Sequence, residues 1–292
     1  MSTTTHDRPA APEAAFDATR VAVVTGGAHG IGRALGRRLA SVADTVVIAD
    51  LDGAAAERVA ADIGGRAYCL DVSVEADVSA LVADVEETLG PIDLFVSNAG
   101  VGFGDADGNA ASRAGKLGPA DDRWAACWNV NVMAHVYAAR ALLPRMIPRG
   151  GGAFIHIASA AGLLSQIGDA AYSATKHAAV AFAESLAITH GDDGIRVTVA
   201  CPQAVATRMI GIPDDSETTD GGFGGNDVDG ILPPDTAADL IVEGAQAGRF
   251  LVLPHPQVAT YVQRKAADHD RWIAGMRRFR ARLASGDDPA TS

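Results

Sequence analysis

A single α/β domain, doubly wound around a seven-stranded parallel sheet, is the fold class that this 292-residue sequence predicts. Three observations carry the prediction. Apolar β-type runs recur along the chain with helical segments between them. The runs are apolar nearly throughout, as strands covered on both faces are. A glycine-rich turn follows the first run and opens the first helix. Seven βα units in succession mean a doubly wound sheet, and the alternation needs only one domain.

Taken in order, residues 1–18 ("MSTTTHDRPAAPEAAFDA") are rich in Thr, Ala and Pro and read as a mobile tail. The domain proper spans residues 19–255. Its strands are "VAVVTG" (21–26), "TVVIAD" (45–50), "AYCLDV" (67–72), "IDLFVSNAG" (92–100), "AFIHIAS" (153–159), "RVTVACP" (196–202) and "RFLVLP" (249–254). Helical segments such as "GRALGRRLASV" and "DVSALVADVEETLG" separate them. Two stretches break the rhythm. Residues 101–120 form a Gly- and Ala-rich insertion before a helix at Asp121, and residues 211–230 are acidic, glycine-rich and without periodicity. Loops this long inside a compact domain are binding loops, lids or disordered segments. Residues 256–292 read as a helical extension and tail. Between 256 and 284, apolar residues from Val258 to Leu283 keep helical spacing, and seven basic residues face only Asp268 and Asp270. That pattern fits a solvated helix packed on the domain or on a neighbouring subunit.

Composition narrows the function. A net charge of −12 argues against nucleic acid and anionic membranes as partners. No apolar run reaches the roughly 20 residues of a membrane span, and the N-terminus lacks a signal-peptide pattern. Cys69, Cys127 and Cys201 are three isolated cysteines without a disulfide framework, which suits a reducing cytoplasm. The eight histidines show no metal-ligand spacing, so no metal is expected.

The chemistry is concentrated in a few short stretches. "TGGAHGIG" (25–32) lets the backbone turn sharply and approach a pyrophosphate, with the N–H groups and positive dipole end of a helix just behind it. Eighteen residues beyond Gly32, the second strand ends in Asp50, whose carboxylate can bond a ribose diol and would repel a 2′-phosphate. In "AYSATKHAA" (171–179), Tyr172 and Lys176 stand four apart, on one face of a helix. A cation near a phenol favours the phenolate, so Lys176 is expected to lower the Tyr172 pKa. On those nine residues alone, a Tyr at a helix start with a Lys reaching solvent is the competing reading.

The motifs together resemble the short-chain dehydrogenases/reductases: Thr25-Gly26-x3-Gly30-x-Gly32, "NAG" at 98–100 and "YSATK" at 172–176, in that order from about Val21 to Pro254. The resemblance implies a Rossmann-type fold and a nicotinamide cofactor. It makes Tyr172 the general acid/base and Lys176 the residue that holds the nicotinamide ribose and depresses the tyrosine pKa. Ser159 is then the hydroxyl that bonds the substrate oxygen. Asn131 is the asparagine of a water-linked proton path, with Asn129 as a neighbouring candidate. For the cofactor it implies Thr25, Gly26, His29, Gly30, Ile31 and Gly32 at the phosphates, and Asp50 and Leu51 at the ribose. Asp71 and Val72 fall at the adenine, Asn98, Ala99 and Gly100 along the cleft, and Pro202, Val205 and Thr207 beside the nicotinamide. Tyr172 and Lys176 also line the cofactor.

The chain departs from the family pattern at Gln203, which follows Pro202 where a Gly is usual and is expected to bring an amide to the substrate. His156 stands where the family often has Asn, and is expected to be a buried, hydrogen-bonded core residue. The segment 211–230 is expected to be a mobile lid that closes Phe223 on the substrate. Its six acidic residues favour a neutral alcohol or ketone. The sequence thus points to an NAD-dependent oxidoreductase, with NADP disfavoured by Asp50, acting on a secondary alcohol or its ketone as a homo-oligomer (dimer or tetramer). The alternatives are a catalytically silent dinucleotide-binding relative and a dehalogenase on the same fold. The complete Asn131, Ser159, Tyr172 and Lys176 set disfavours the first, and the intact glycine loop the second.

Overall fold

The computed structural model describes residues 19–104, 120–214 and 229–285. The expected N-terminal tail, most of the 101–120 insertion and residues 215–228 of the expected lid, with Phe223, lie outside them.

Seven strands form one all-parallel sheet: β1 (Val21–Thr25), β2 (Thr45–Asp50), β3 (Arg66–Cys69), β4 (Ile92–Ser97), β5 (Gly152–Ile157), β6 (Ile195–Ala200) and β7 (Leu251–Val252). They lie in the order β3-β2-β1-β4-β5-β6-β7. The long crossovers that parallel strands require are helical. Helices α1 (Gly30–Leu39), α2 (Gly53–Ile63) and α3 (Glu75–Thr88) follow the first three strands. After β4 come α4 (Asp121–Trp128), a π-helical turn (Asn129–Met133) and α5 (Ala134–Met146). The short α6 (Ala161–Leu164) and the long α7 (Ala170–His190) follow β5, and α8 (Pro234–Gln246) precedes β7. The extension is two helices, α9 (Gln257–Ala267) and α10 (His269–Ser285).

Strand periodicity places the two cores. On β1, Val21 and Val23 face Val78, Leu81, Leu142 and Ala183 on one side, while Ala22 and Val24 face Leu35, Ala56, Val59 and Ile241 on the other. Successive side chains leave a strand on opposite faces, so a strand covered twice must be apolar throughout. Fully buried Leu35 and Leu142 illustrate the cost of breaking this packing, since truncation of such a Leu to Ala destabilises by roughly 2–5 kcal/mol.

Two strands depart from the sequence reading. The run at 67–72 yields only Arg66–Cys69, an edge strand with both ends exposed. Leu70 and Val72 are buried just beyond it. The run at 249–254 pairs at Leu251 and Val252 alone. Both are edge strands, and an edge needs neither full cover nor a full ladder. The extension breaks at Asp268, whose backbone is extended (φ −157°) and whose carboxylate accepts the Arg271 N–H at 2.9 Å. Val258, Tyr261, Val262 and Trp272 pack on Ala160 and Leu164, which ties the extension to the domain.

One polar feature lies inside the first core. His135 on α5 and His156 on β5 are fully buried, with their Nδ1 atoms 2.9 Å apart and their rings edge-to-face at 4.9 Å. Phe154 stacks on His156 at 5.8 Å and Phe182 meets it edge-on. Burial pushes His156 down to about 4 and His135 well below its usual value. Both rings are therefore neutral at pH 7, and one Nδ1–H donates to the other Nδ1. His156 is a core residue, as the sequence suggests. The unfolded chain binds these protons near pH 6.5 and the folded chain only at lower pH, so the pair's stability is complete above about 6.5 and drains away as pH falls towards 4. The melting temperature should accordingly fall from pH 7 to pH 5 more steeply in the native protein than in His135→Leu/His156→Phe. Parallel slopes would show that the pair does not titrate in this way.

Candidate active site

The strand order reverses between β1 and β4, where an open α/β sheet leaves a crevice at the carboxyl ends of its strands. Both adjoining loops are tightly packed there. Gly26 has φ +60°, and a Cβ on it would come within 2.8 Å of the Ala99 backbone. A Cβ on Gly32 would overlap the Gly26 carbonyl. The Asn98 amide donates to the Thr25 and Gly26 carbonyls, each at 3.0 Å, and the Asn98 N–H donates to Thr25 Oγ1 at 3.1 Å. Thr25 Oγ1 in turn donates to the Val96 carbonyl. The side chains of Thr25 and Asn98 thus hold the glycine loop against the loop after β4. Close backbone packing of this kind admits only glycine, and it leaves the first N–H groups of α1 directed at the crevice.

Asp50 closes the other side of the loop. Its Oδ2 accepts the Ala28 N–H at 3.0 Å and its Oδ1 accepts the Asp52 N–H at 3.0 Å. Leu51 beside it is 71% exposed, an apolar group open to whatever enters. Asp71 shapes the turn into α3 by accepting the Ser73 N–H at 2.8 Å, next to buried Val72. The glycine cradle, the Asp50 carboxylate and exposed Leu51 form a chemically suitable seat for a dinucleotide.

The second part of the site lies at the ends of β5 and α7. Asp169 caps α7: its Oδ1 accepts the Tyr172 N–H at 3.0 Å, and its Oδ2 accepts the Gly104 N–H at 3.0 Å. A cap of this kind contributes about 1 kcal/mol, and here it also anchors the loop after β4 over the helix start. Tyr172 and Lys176 then point inward from successive turns. Lys176 Nζ donates to the Ile157 carbonyl at 2.9 Å and lies 5.6 Å from the Tyr172 ring centre. A Cβ on Gly100 would stand 3.3 Å from both Lys176 Nζ and Asn131 Oδ1, so three of the expected residues converge there.

Asn131 sits fully buried in the π-helical turn, a distortion often found at functional sites. It takes both backbone groups of Val101, accepting the N–H and donating to the carbonyl, each at 2.9 Å, and donates to Thr175 Oγ1. Asn129, by contrast, is exposed. Ser159 Oγ accepts the Ala161 N–H at 3.1 Å, which directs its hydroxyl. The Ser159 hydroxyl acts on the Tyr172 phenol in the direction that lowers its pKa.

The electrostatics reverse one expectation. Burial pushes the Tyr172 phenol up to about 12, and the Ser159 hydroxyl offsets this only in part. Burial likewise lowers Lys176 to about 8. Desolvation penalises the charged form of each group, and the ammonium spends a donor on the Ile157 carbonyl. Without ligands, then, Lys176 does not bring Tyr172 below its ordinary value. The Cys127 and Cys201 thiols nearby are raised to about 11 and about 12 by burial, so both stay protonated and unreactive.

The third part is the loop after β6. The Pro202 carbonyl lies 3.5 Å from Ser159 Oγ and accepts the Ala160 N–H at 2.8 Å. The Gln203 N–H donates to His255 Nδ1 at 3.1 Å, and its buried Oε1 has no partner among the described residues. Val205 pairs with Leu232. Thr207 packs on the glycine loop, where a Cβ on Gly30 would meet its methyl at 2.8 Å. Asp214 returns to the start of α1 beside His29 and Ile31, accepting the Gly30 N–H at 3.1 Å. The sequence reading missed Asp169, Arg208, Asp214 and His255. Only Asp169 had a local signal, an N-cap residue ahead of a helix.

A family model described as short chain dehydrogenase matches residues 20–216. The chain belongs to the short-chain dehydrogenase family. A 1-deoxy-11-beta-hydroxypentalenate dehydrogenase of Streptomyces exfoliatus is 37% identical over 246 residues, 80% of this chain and 82% of that protein. A meso-2,3-butanediol dehydrogenase of Serratia marcescens is 34% identical over 66% of this chain and 74% of its own. The crystal structure of a short-chain dehydrogenase/reductase from Burkholderia phymatum in complex with NAD superposes with a TM-score of 0.74 at 28% identity, covering 88% of this chain and 95% of that one. These likenesses establish an oxidoreductase of the family that acts on hydroxyl groups. Among the described residues, no helix is long and apolar enough to cross a membrane.

Proposed function

We propose that this protein is an NAD(H)-dependent oxidoreductase that interconverts a secondary alcohol and its ketone. The observation that carries the proposal is the burial of Ser159, Tyr172 and Lys176 together beyond β5, with Lys176 Nζ 5.6 Å from the phenol ring centre. The nicotinamide would supply or accept the hydride. The protein's own groups handle the proton and the oxygen. Ser159 Oγ and Tyr172 Oη provide two donors for a substrate oxygen that gains negative charge as a carbonyl is reduced. A phenol held at about 12 is protonated at neutral pH, so it stands ready to donate to that oxygen. In the alcohol-to-ketone direction the phenolate must accept the proton, so that direction gains as pH rises. Lys176 holds the ribose and, as an ammonium below about pH 8, favours the phenolate when the substrate oxygen shares its proton. Asn131 fixes the Val101 backbone beside Lys176 and supports the proton path from it.

Cofactor preference follows from Asp50: two backbone N–H groups hold its carboxylate at the end of β2, where it would bond a ribose diol and repel a 2′-phosphate. Three free cysteines fit a cytoplasmic enzyme. The acidic segment 211–230 favours a neutral substrate. Assembly into a dimer or tetramer would cover apolar groups on the α4–α5 and α7 helices: Trp128 is 46% and Ile188 85% exposed, and Val136, Tyr137 and Leu143 are half-buried.

Tyr172→Phe should lower turnover of a secondary alcohol by roughly two to four orders of magnitude and leave NADH affinity nearly unchanged, whereas Lys176→Ala should weaken both. Substantial turnover by the Phe variant would show that another group moves the proton. Measured as kcat/KM, NAD should be preferred over NADP; the opposite order would overturn the reading of Asp50. Sedimentation at micromolar concentration should give a dimer or larger, and a monomer would contradict the proposed assembly.

A further inference from the structure

The N-terminus of α1 is the place where the fold offers backbone N–H groups and a positive dipole end to an anion. In this chain an anion is already there, and it is part of the protein. Asp214 Oδ1 accepts the Gly30 N–H at 3.1 Å. Its Oδ2 lies 2.8 Å from His29 Nδ1 and 2.8 Å from Arg208 Nε. Arg208 also reaches His29 Nε2 at 3.3 Å, and that nitrogen lies 3.3 Å from Asp52 Oδ2. The Asp214 side chain is only 6% exposed, while Arg208 remains 60% exposed. Thr207 closes the same loop over Gly30. A cavity of about 430 Å³ opens alongside, lined among others by His29, Arg58, Arg208 and Asp214.

The donor set around Asp214 is the kind a phosphate uses: one backbone N–H at a glycine-rich helix start, a guanidinium and an imidazole. Two anions cannot share the seat, because a carboxylate beside a phosphate is repelled strongly where water is excluded.

We propose that Asp214 is an internal substitute for a dinucleotide phosphate. It holds the 207–214 loop against the glycine turn in the free protein and must be expelled for the cofactor to bind. Once it leaves, Arg208 and His29 are released to the incoming pyrophosphate, which makes Arg208 a cofactor-binding residue that the motif does not reveal. This rests on the dinucleotide reading of the site. It adds that the free chain opposes its own cofactor and that phosphate binding is coupled to movement of the loop beside Ser159.

The test is a set of binding titrations on the purified, ligand-free protein, with NADH followed by fluorescence and ADP and adenosine by calorimetry. Asp214→Ala should bind NADH and ADP about tenfold more tightly, a gain of about 1.4 kcal/mol, with adenosine unchanged because it carries no phosphate. Asp214→Asn, which keeps the shape and an acceptor for Gly30 but not the charge, should fall between the two proteins. Arg208→Ala in the Asp214→Ala background should lose the gain. Equal or weaker NADH binding by Asp214→Ala and Asp214→Asn would overturn the proposal, as would an adenosine gain as large as that of ADP. A purely structural role for Asp214 predicts weaker binding of all three ligands. Failure of NADH to bind any of the proteins would instead overturn the dinucleotide reading itself.

Discussion

The site depends on one small constraint, the Asn98 amide bonded to two successive carbonyls, those of Thr25 and Gly26. These bonds draw the loop after β4 onto the turn after β1 at the point where the sheet order reverses. Backbone then meets backbone so closely that Gly26 and Gly32 have no space for a Cβ. The first turn of α1 is aimed at the crevice as a result. The loop's shape comes from sterics and its rigidity from hydrogen bonds, and neither calls for a ligand.

At the chemical end, burial is the dominant force. It raises the phenol and lowers the ammonium, and the Ser159 hydroxyl counters it only partly. A desolvated pair of this kind is costly to charge and so is held in a defined protonation state until a polar ligand changes its surroundings. The residues that hold it in place are not themselves reactive. Asp169 caps the helix that carries Tyr172, Asn131 grips the Val101 backbone, and the Ile157 carbonyl receives Lys176.

The loop after β6 joins these two ends. It starts at Pro202, against Ser159, passes Gln203 with its bond to His255, and returns through Thr207, Arg208 and Asp214 to the glycine turn. The C-terminal extension supports the same corner: Tyr261 donates to Asp229 at 2.8 Å, and Lys265 donates to the Leu163 carbonyl at 2.6 Å. Changes at the glycine turn and at the Ser159 corner therefore share one stretch of backbone.

The sequence by itself determined whatever has a short-range signature. Apolar runs marked the strands, the glycine spacing marked the tight turn into α1, Asp50 ended its strand, and the four-residue spacing of Tyr172 and Lys176 set them on one helix face. Tertiary structure decided what depends on residues distant in the chain or on the exclusion of water. It turned the Thr25 and Asn98 side chains inward, buried Asn131 and left Asn129 exposed, paired His135 with His156, and broke the C-terminal helix at Asp268. It also set the direction of the Tyr172 shift, which no spacing can reveal because desolvation belongs to the folded surroundings and not to the motif. Asp214 shows this limit most clearly. In the sequence it is one acid among six in an irregular stretch, and only the chain's return to Gly30 makes it the anion at the head of α1.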